Sequence, residues 1–335
     1  MPPRNLITDV PGVRVGHADD ARLGSGLTAV VFDRPAVASV AIHGGAPGTR
    51  DTALLEPEMT VEAVDALVLS GGSAFGLDGM GGAMAALADK GRGFAVGPTR
   101  VPIVPGAVLF DLNNGGDKGW GRHPPYWEMG YAAVAASNNA FTLGSHGAGL
   151  GATTADLKGG LGSASARSRH GYWVGALAAV NSLGQATVGD GPQFWAAPYE
   201  RDAEFGGLGL PPFTRAGAPP FRTKGTVPQN TTICVVATDA ALTKAQCKRI
   251  AVMAQGGLAL ALRPAHAALD GDVVFAAATG TVARSAMAAD LTDIGALAAE
   301  TLARAVARGV YEARALPFPG ALPGWRDRFG HHARA

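Results

Sequence analysis

Short runs of apolar residues alternate along the chain with longer segments in which apolar residues recur at helical spacing. Six short runs are typical of buried strands and span residues 27–32, 37–42, 66–69, 172–180, 232–237 and 273–278. Three helical patterns cover residues 74–90, 242–262 and 291–312, and the last has one apolar face. Strands and helices mixed along the whole length predict a layered architecture of both element types.

The alternation stops between residues 200 and 229, which are rich in glycine and proline and predict a surface loop or linker. Asn230 and Thr231 follow directly, and the chain then changes to a strand of the buried type. A long loop that enters a core strand in this way marks either a domain boundary or a processing site.

The composition is that of a packed globular protein, with 47% hydrophobic and 16% charged residues. A formal net charge of +1 offers no basic surface for nucleic acid or an anionic membrane, and the short basic stretch 325–335 is expected to be a solvated end. Cys234 and Cys247 are expected to be reduced and structural. We find neither a signal-peptide core nor an apolar segment of membrane-spanning length, so we expect a soluble, cytoplasmic protein.

Thr231 suggests a particular chemistry. A threonine hydroxyl is a weak nucleophile at neutral pH, and it can use its own α-amine as the base if it is the first residue of a chain. The reference pKa of that amine, roughly 7.7–8.0, suits a base at neutral pH. Thr231 could create this terminus by attacking the carbonyl of Asn230 and releasing the resulting ester by hydrolysis. The alternative is that these two residues are a loop that enters a strand.

Seven segments in order along nearly the whole chain carry a family resemblance, at residues 7–17, 43–50, 69–77, 101–105, 158–165, 174–181 and 230–240. They resemble the N-terminal-nucleophile aminopeptidases and amidases, a family that includes β-aminopeptidases, the L-aminopeptidase/D-esterase type and 6-aminohexanoate-oligomer (nylon-oligomer) hydrolases. The resemblance implies an α+β fold, a four-layer αββα-like sandwich. It also implies one catalytic domain, residues 1–335, that cleaves itself into residues 1–230 and 231–335.

The resemblance also implies roles for individual residues. Thr231 matches the nucleophile, and threonine after asparagine is more similar to the nylon-oligomer hydrolase branch than to members that carry serine. Lys158 matches a lysine beside the nucleophile, where an ammonium would depress the pKa of the α-amine and stabilise negative charge. Asn181 matches an asparagine that donates to the oxyanion. The alternatives are a surface lysine and an asparagine that ends a strand in a turn.

Asp270 and Asp272, separated by one glycine, resemble the acidic residues that orient the nucleophile in the nylon-hydrolase branch. Their side chains point to the same side of an extended chain and could hold the Thr231 ammonium or Lys158. A plain Asp-Gly turn is the alternative, and a calcium loop would need a longer ligand run. Many family members carry a pocket tyrosine where this chain has Phe110; Tyr126 is near in sequence but does not align with it.

These observations predict a self-processing amidohydrolase with a threonine nucleophile. By resemblance its substrate is a short linear amide, either a 6-aminohexanoate oligomer or another ω-, β- or D-amino-acid peptide, and the protein forms a homotetramer or larger assembly. The eight histidines show no zinc spacing, and we expect neither a metal nor a cofactor.

Three other interpretations remain open. A serine hydrolase could use Ser73 after the strand at 66–69, although the sequence does not fit G-x-S-x-G. An ornithine-acetyltransferase-like enzyme would place the nucleophile after a Lys-Gly pair, which occurs at Lys224-Gly225-Thr226. A non-enzymatic binding protein could hold a phosphate in the glycine-rich loop at 144–151, which lacks the ending of a P-loop.

Overall fold

A computed structural model describes residues 3–212, 220–224 and 230–330. In these ranges the strands are β1 (Val13–Asp20), β2 (Ser25–Ile42), β3 (Gly48–Arg50), β4 (Ala63–Ser70), β5 (Phe94–Val96), β6 (Thr99–Val101), β7 (Gly106–Val108), β8 (Gly160–Arg167), β9 (Trp173–Asn181), β10 (Thr231–Ala241) and β11 (Val273–Ser285). The helices are α1 (Gly79–Ala88), α2 (Tyr126–Ala135), α3 (Lys244–Ala261), α4 (Ala288–Glu312) and α5 (Trp325–Phe329).

One hydrogen-bonded sheet runs in the order β3-β7-β4-β2-β11-β10-β9-β8, with β1 also paired to β2, and β5 and β6 form a separate hairpin. The 18-residue strand β2 joins the two halves of this sheet. Its first part pairs with β1 and β4, and its second part pairs with β11. The register with β4 breaks between Val31 and Ala36, around Pro35, which has no N–H to give to a ladder. The two predicted strands at 27–32 and 37–42 are therefore two parts of one strand.

Three separate apolar cores define four layers. One core lies between α3, α4 and the half-sheet β9-β10-β11, and another lies between α1, α2 and the strands β2 and β4. The third core consists almost entirely of strand residues from both halves, among them Phe32, Leu67, Leu177 and Phe275. The sheet therefore folds back on itself through β2, so that its halves face each other between outer helices. This is the expected αββα-like sandwich, except that its two sheet layers are continuous.

The ends of the predicted elements shift by a few residues for local reasons. Helix α3 starts at Lys244 because Thr243 caps it: Gln246 N donates to Thr243 Oγ1 at 3.3 Å, and Thr243 N donates to Gln246 Oε1 at 2.9 Å. The helix predicted at 74–90 begins as a 3-10 turn, Ser73–Asp78, before α1. Strands β1 and β8 and helix α2 were not predicted. In β8 the reason is composition, since glycine, alanine and serine dominate it and give no apolar run.

The expectation that residues 325–335 form a solvated end is wrong for its first part. Trp325 is fully buried, stacks on Phe194, and its indole N–H donates to Pro192 O at 2.9 Å. An apolar indole with its donor satisfied gains more by packing than by hydration. Both cysteines are free and buried, as expected. Within the described residues, none of the helices combines the length and apolar character needed to cross a bilayer.

Candidate active site

The junction at Thr231 lies in the middle of the sheet. Thr231 is the first residue of β10, and its Cα partner across the antiparallel pairing is Asn181, the last residue of β9. On the other side, Asn230 bridges Asp270 in parallel orientation just before β11 begins. Because β10 lies between β9 and β11, the fold brings together four residues that the sequence predicts for the site and that are far apart in the chain: Thr231, Asn181, Asp270 and Asp272.

The carbonyl that joins Asn230 to Thr231 receives two donors. Gly271 N donates to Asn230 O at 3.0 Å, and the Thr231 hydroxyl donates to the same oxygen. Gly271 has no room for a side chain, since a Cβ on it would lie 2.5 Å from Thr231 Oγ1. A backbone N–H aimed at this oxygen is the kind of donor that stabilises a tetrahedral oxyanion. The nucleophile predicted for this bond and a donor for its carbonyl are thus both in place.

The two acidic residues have different surroundings. Asp272 is fully buried and accepts hydrogen bonds from Thr232 N at 3.0 Å and from His266 N at 2.9 Å. Burial, followed by the neighbouring charge of Asp272, raises the pKa of Asp270 well above its usual range, and the charge of Lys224 opposes this. The sequence predicts that these carboxylates hold the Thr231 ammonium or Lys158. In the structure their neighbours are instead the backbone amide of Thr232, His266 and Lys224.

Lys158 is fully buried, so the interpretation as a surface lysine is wrong. Its ammonium donates to the carbonyl oxygens of Gly149 at 3.0 Å, Ala152 at 2.7 Å and Gly159 at 2.7 Å. These three acceptors match the three N–H bonds of a charged lysine. Burial nevertheless lowers the pKa of Lys158 to about 7, with the charge of Asp111 opposing the shift.

Lys224 is a site residue that the sequence did not identify, except as part of the Lys-Gly pair considered above. Its ammonium donates to Asn181 Oδ1 at 3.1 Å, and loss of hydration lowers its pKa to about 7. The only sequence signal was a lysine in a polar linker, which is ordinarily a solvated residue. Its contact with Asn181 follows from the position of its backbone, because Lys224 N donates to Leu183 O at 3.1 Å, two residues beyond the end of β9.

The Asn181 side chain is oriented by further contacts. Thr153 N donates to Asn181 Oδ1 at 3.0 Å, and Asn181 Nδ2 donates to Phe110 O at 3.0 Å. These bonds fix which end of the amide is the donor and aim it toward the wall that carries Phe110. Asn181 is buried at the end of a central strand, so it is held rigidly relative to Thr231.

Two cavities meet at Phe110. The first, of about 210 Å³, contains Thr231, Asn230 and Ser73 in its lining, and every described residue that lines it is uncharged. The second, of about 290 Å³, is lined by both Lys158 and Lys224. Phe110 thus lines both cavities, at the position where the family tyrosine did not transfer to this sequence.

Tyr126 is a buried structural residue behind these cavities. Its hydroxyl donates to Ser25 Oγ at 3.1 Å, and Ser25 Oγ donates to Asp111 Oδ2 at 2.7 Å. Asp111 is a second residue that sequence reasoning missed: it lines the larger cavity, accepts from Gly72 N at 2.8 Å, and burial raises the pKa of its carboxyl. A lone aspartate after an apolar run carries no signal of such a position.

Two of the alternative interpretations lose support from the geometry. Ser73 does lie in a strand-turn-helix unit with a left-handed φ of 52°, but no histidine or carboxylate is among the described residues that line its cavity. In the loop at 144–151, the amides are occupied by protein acceptors: Gly147 N donates to Asp19 Oδ1 and Ala148 N donates to Thr28 Oγ1. For the third interpretation, Gly225 and Thr226 lie outside the described residues. In the described part of the chain, no cluster of three metal-ligating side chains occurs.

Comparison with solved structures identifies the class of fold. The chain superposes on an L-aminopeptidase D-Ala-esterase/amidase from Ochrobactrum anthropi, which is described as a variant of the Ntn (N-terminal nucleophile) hydrolase fold. The TM-score is 0.69 at 20% sequence identity, and the superposition covers 99% of this chain and 94% of that one. The predicted fold and the predicted family resemblance are confirmed.

The sequence profile of peptidase family S58 matches residues 5–320, and the chain belongs to this family. An uncharacterized aminopeptidase of Mycobacterium tuberculosis is 44% identical over 97% of this chain and 98% of its own length. A 6-aminohexanoate-oligomer endohydrolase of Kocuria sp. is 25% identical over 89% of this chain and 84% of its own. Family and relatives together support a hydrolase that acts on amide bonds.

Proposed function

We propose that the chain cleaves itself between Asn230 and Thr231, and that Thr231 is then the nucleophile of an amidohydrolase. The observation that carries this proposal is the arrangement at the Asn230 carbonyl, which has the Thr231 hydroxyl and the Gly271 amide on the same oxygen. Rigid placement on a central strand supports it, because an oriented nucleophile avoids most of the entropic cost of the attack.

Self-cleavage would proceed by transfer of an acyl group from nitrogen to oxygen. Thr231 Oγ attacks the carbonyl carbon of Asn230, and Gly271 N–H stabilises the oxyanion that forms. The C–N bond breaks, the nitrogen takes up the proton that the hydroxyl releases, and an ester remains. Water hydrolyses the ester and leaves a carboxyl group on Asn230 and a free α-amine on Thr231. The products are residues 1–230 and 231–335, which together form one catalytic unit.

The mature enzyme would repeat this chemistry on a substrate amide. The α-amine of Thr231 takes the hydroxyl proton as Oγ attacks, and passes it to the departing amine. Asn181 Nδ2 and nearby backbone N–H groups stabilise the oxyanion, and water then releases the acid. In this proposal Lys158 and the pair Asp270 and Asp272 set the electrostatics around the α-amine, since an ammonium depresses its pKa and a carboxylate raises it.

The substrate we propose is a short linear amide, either a 6-aminohexanoate oligomer or another ω-, β- or D-amino-acid peptide. The name of the Kocuria relative supports this class, and so does the uncharged lining of the cavity at Thr231, which suits an aliphatic chain. From the family resemblance we also expect a homo-oligomer, a tetramer or larger. A cytoplasmic location is a separate part of the proposal.

Hydrolysis assays on three proteins test the proposal: wild type, Thr231→Ala and Ser73→Ala, each supplied with 6-aminohexanoate oligomers and β-peptides. Both hydroxyls line the same cavity, so each substitution is the matched control for the other. We expect Thr231→Ala to lose activity by a factor of about 10⁴ or more, because the hydroxyl that forms the acyl-enzyme is missing. Ser73→Ala should retain most of its activity, because Ser73 does not form that ester. Loss of activity in Ser73→Ala, with activity kept in Thr231→Ala, would identify Ser73 as the nucleophile instead of Thr231.

A further inference from the structure

His266 lies behind the acidic pair, on the turn that leads into it. Its backbone N donates to Asp272 Oδ2 at 2.9 Å, and its ring nitrogen Nδ1 lies 3.0 Å from the same oxygen. The other ring nitrogen, Nε2, is 3.3 Å from the carbonyl oxygen of Gln255. A carbonyl oxygen only accepts hydrogen bonds, so Nε2 carries a hydrogen in this arrangement.

The partners of Asp272 determine the charge on the ring. Asp272 Oδ1 accepts from Thr232 N, and Oδ2 accepts from His266 N, so both oxygens act as acceptors, as those of an ionised carboxylate do. An ionised carboxylate 3.0 Å from Nδ1 favours a hydrogen on that nitrogen too. A ring with hydrogens on both nitrogens is an imidazolium, and the 3.0 Å separation of Nδ1 and Asp272 Oδ2 is within ion-pair range.

The conformation of His266 indicates that this contact is specific. Its φ of 57° lies in the left-handed region, which few residues other than glycine adopt unless the surroundings require it. That conformation brings both the backbone N and the ring Nδ1 of one residue within 3.0 Å of a single carboxylate oxygen. The ring is also held from the other side by His43, in an edge-to-face contact with ring centroids 5.4 Å apart.

We propose that His266 is a positioning residue for the chemistry at Thr231: its positive charge keeps Asp272 ionised and thereby leaves the proton of the acidic pair on Asp270. This inference rests on the function proposed above. Two neighbouring carboxyl groups do not readily ionise together, and a cation beside one of them decides which does. Ionised Asp272 holds the Thr232 amide, and through it the position of Thr231 at the start of β10.

The charges around the ring agree with this assignment. Asp272 and Asp270 raise the pKa of His266 above its ordinary value, although burial opposes them. His43 has a lowered pKa because of burial and then the charge of His266, and Lys248 is the further cation that acts on His43. These are the titratable groups that face His266 and its ring partner from the packed elements.

The test compares His266→Asn with His43→Asn. Asparagine tolerates the left-handed conformation and keeps a neutral donor, so it removes mainly the charge. His43 is exposed and contacts the same ring, and its side chain has no hydrogen bond to Asp270 or Asp272 in the described part of the chain. Chains made by cell-free translation are transferred to buffers of increasing pH, and the rate of cleavage between Asn230 and Thr231 is followed by electrophoresis.

A cation beside a carboxyl group favours its ionised form, so removal of the His266 charge should disfavour ionisation of the acidic pair. We therefore expect the acidic limb of the rate profile to move to higher pH by about one unit or more in His266→Asn, and to stay in place in His43→Asn. A uniform loss of rate at every pH, with the limb unmoved, would mean that His266 acts only in packing and would overturn the proposal.

A second measurement does not depend on cleavage or on the folding of His266→Asn. In the unprocessed Thr231→Ala protein, NMR of the imidazole signals should give His266 a pKa above the ordinary value of roughly 6.5, and Asp272→Asn should lower it by about one unit or more. Titration at or below the ordinary value would contradict the inference. If the wild-type chain failed to cleave itself, the proposed function would fall, but this titration would still decide whether His266 and Asp272 form the charged pair.

Discussion

Gly271 and Thr231 fit against each other so closely that a Cβ on Gly271 would lie 2.5 Å from Thr231 Oγ1 and 2.9 Å from Ala46 O. Contacts this short force something to move, and the Ala46 carbonyl is backbone. We therefore expect Gly271→Ala to displace the Thr231 side chain from the Asn230 carbonyl and to slow self-cleavage at least about 10-fold, since small displacements of a reacting group are costly.

Gly256 provides the matched control for this substitution. It is exposed on α3, and a Cβ there would meet nothing within 4 Å. Gly256→Ala should cleave at the wild-type rate and be more stable by about 0.5–1 kcal/mol, because alanine favours the helix. Equal cleavage rates in both alanine variants, measured by electrophoresis after synthesis, would show that the close fit at Thr231 has no role.

Asn181→Asp tests the oxyanion donor with almost no change in shape. The substitution replaces the Nδ2 donor near Phe110 with a carboxylate oxygen and adds negative charge where the transition state develops its own. We expect kcat to fall by about 100-fold or more, with a smaller change in KM, which is the pattern of a lost transition-state contact. Asn113→Asp, an exposed amide that lines the larger cavity, is the control and should retain kcat within a few-fold.

The buried Lys158 should make the stability of the protein depend on pH. Its pKa of about 7 in the folded protein lies below its ordinary value of 10.5, so between these values the unfolded chain binds more protons than the folded one. The contribution of Lys158 to the free energy of unfolding therefore rises with pH in this range, by up to about 1.4 kcal/mol per pH unit.

Lys158→Met keeps an unbranched side chain, one atom shorter, and removes the charge. Both proteins are compared in the uncleaved Thr231→Ala background. The melting temperature of the protein that keeps Lys158 should rise from neutral pH to about pH 9, and the rise should be smaller in the protein that carries Lys158→Met. Lys224 keeps its own contribution in both proteins. Parallel melting curves over this range would show that Lys158 does not change protonation there.

A buried ion pair joins the two parts of the chain that self-cleavage would separate. Arg304 Nε lies 2.5 Å from Glu204 Oε1 and Nη2 lies 3.1 Å from Glu204 Oε2, with both side chains almost fully buried. Glu204→Gln would leave the guanidinium buried without its counter-charge, at a cost of about 3–5 kcal/mol. We expect a lower melting temperature and partial separation of the cleaved chains in size-exclusion chromatography.

The exposed pair of Arg326 and Glu312 is the control for that substitution. Its atoms lie 2.9 Å apart, but both side chains are solvated. Glu312→Gln should change stability by about 0–1 kcal/mol at most. An equally small effect of Glu204→Gln would mean that the buried pair does not hold the two parts together.

The sequence predicts those elements of the fold that have strong apolar patterns. Strands β9, β10 and β11 each contain a recognisable apolar run, and their adjacency is what brings Asn181, Thr231 and Asp270 to one place. Strand β8, made largely of glycine, alanine and serine, has no such pattern, because its backbone packs closely against α4 instead of presenting large side chains. The continuity of β2 is hidden by Asp33, Arg34 and Pro35, where the strand bends.

The residues of the candidate site also differ in how far the sequence predicts them. Thr231 and Asn181 adjoin recognisable strands, and the family resemblance is what assigns both of them to one site. Lys224, Asp111 and His266 were not assigned to the site, because each lies outside the helices and strands and reaches it through tertiary contacts. An ionisable residue outside a helix or strand is ordinarily solvated, so only the folded geometry distinguishes these three.

Intact-mass measurement of the purified wild type beside Thr231→Ala tests the central claim most directly. The account predicts two fragments from the wild type, with masses that place the break between Asn230 and Thr231, and a single unbroken chain from the variant. An unbroken wild-type chain that still hydrolyses amides would contradict self-processing and return Ser73, in the same cavity, as the nucleophile to test.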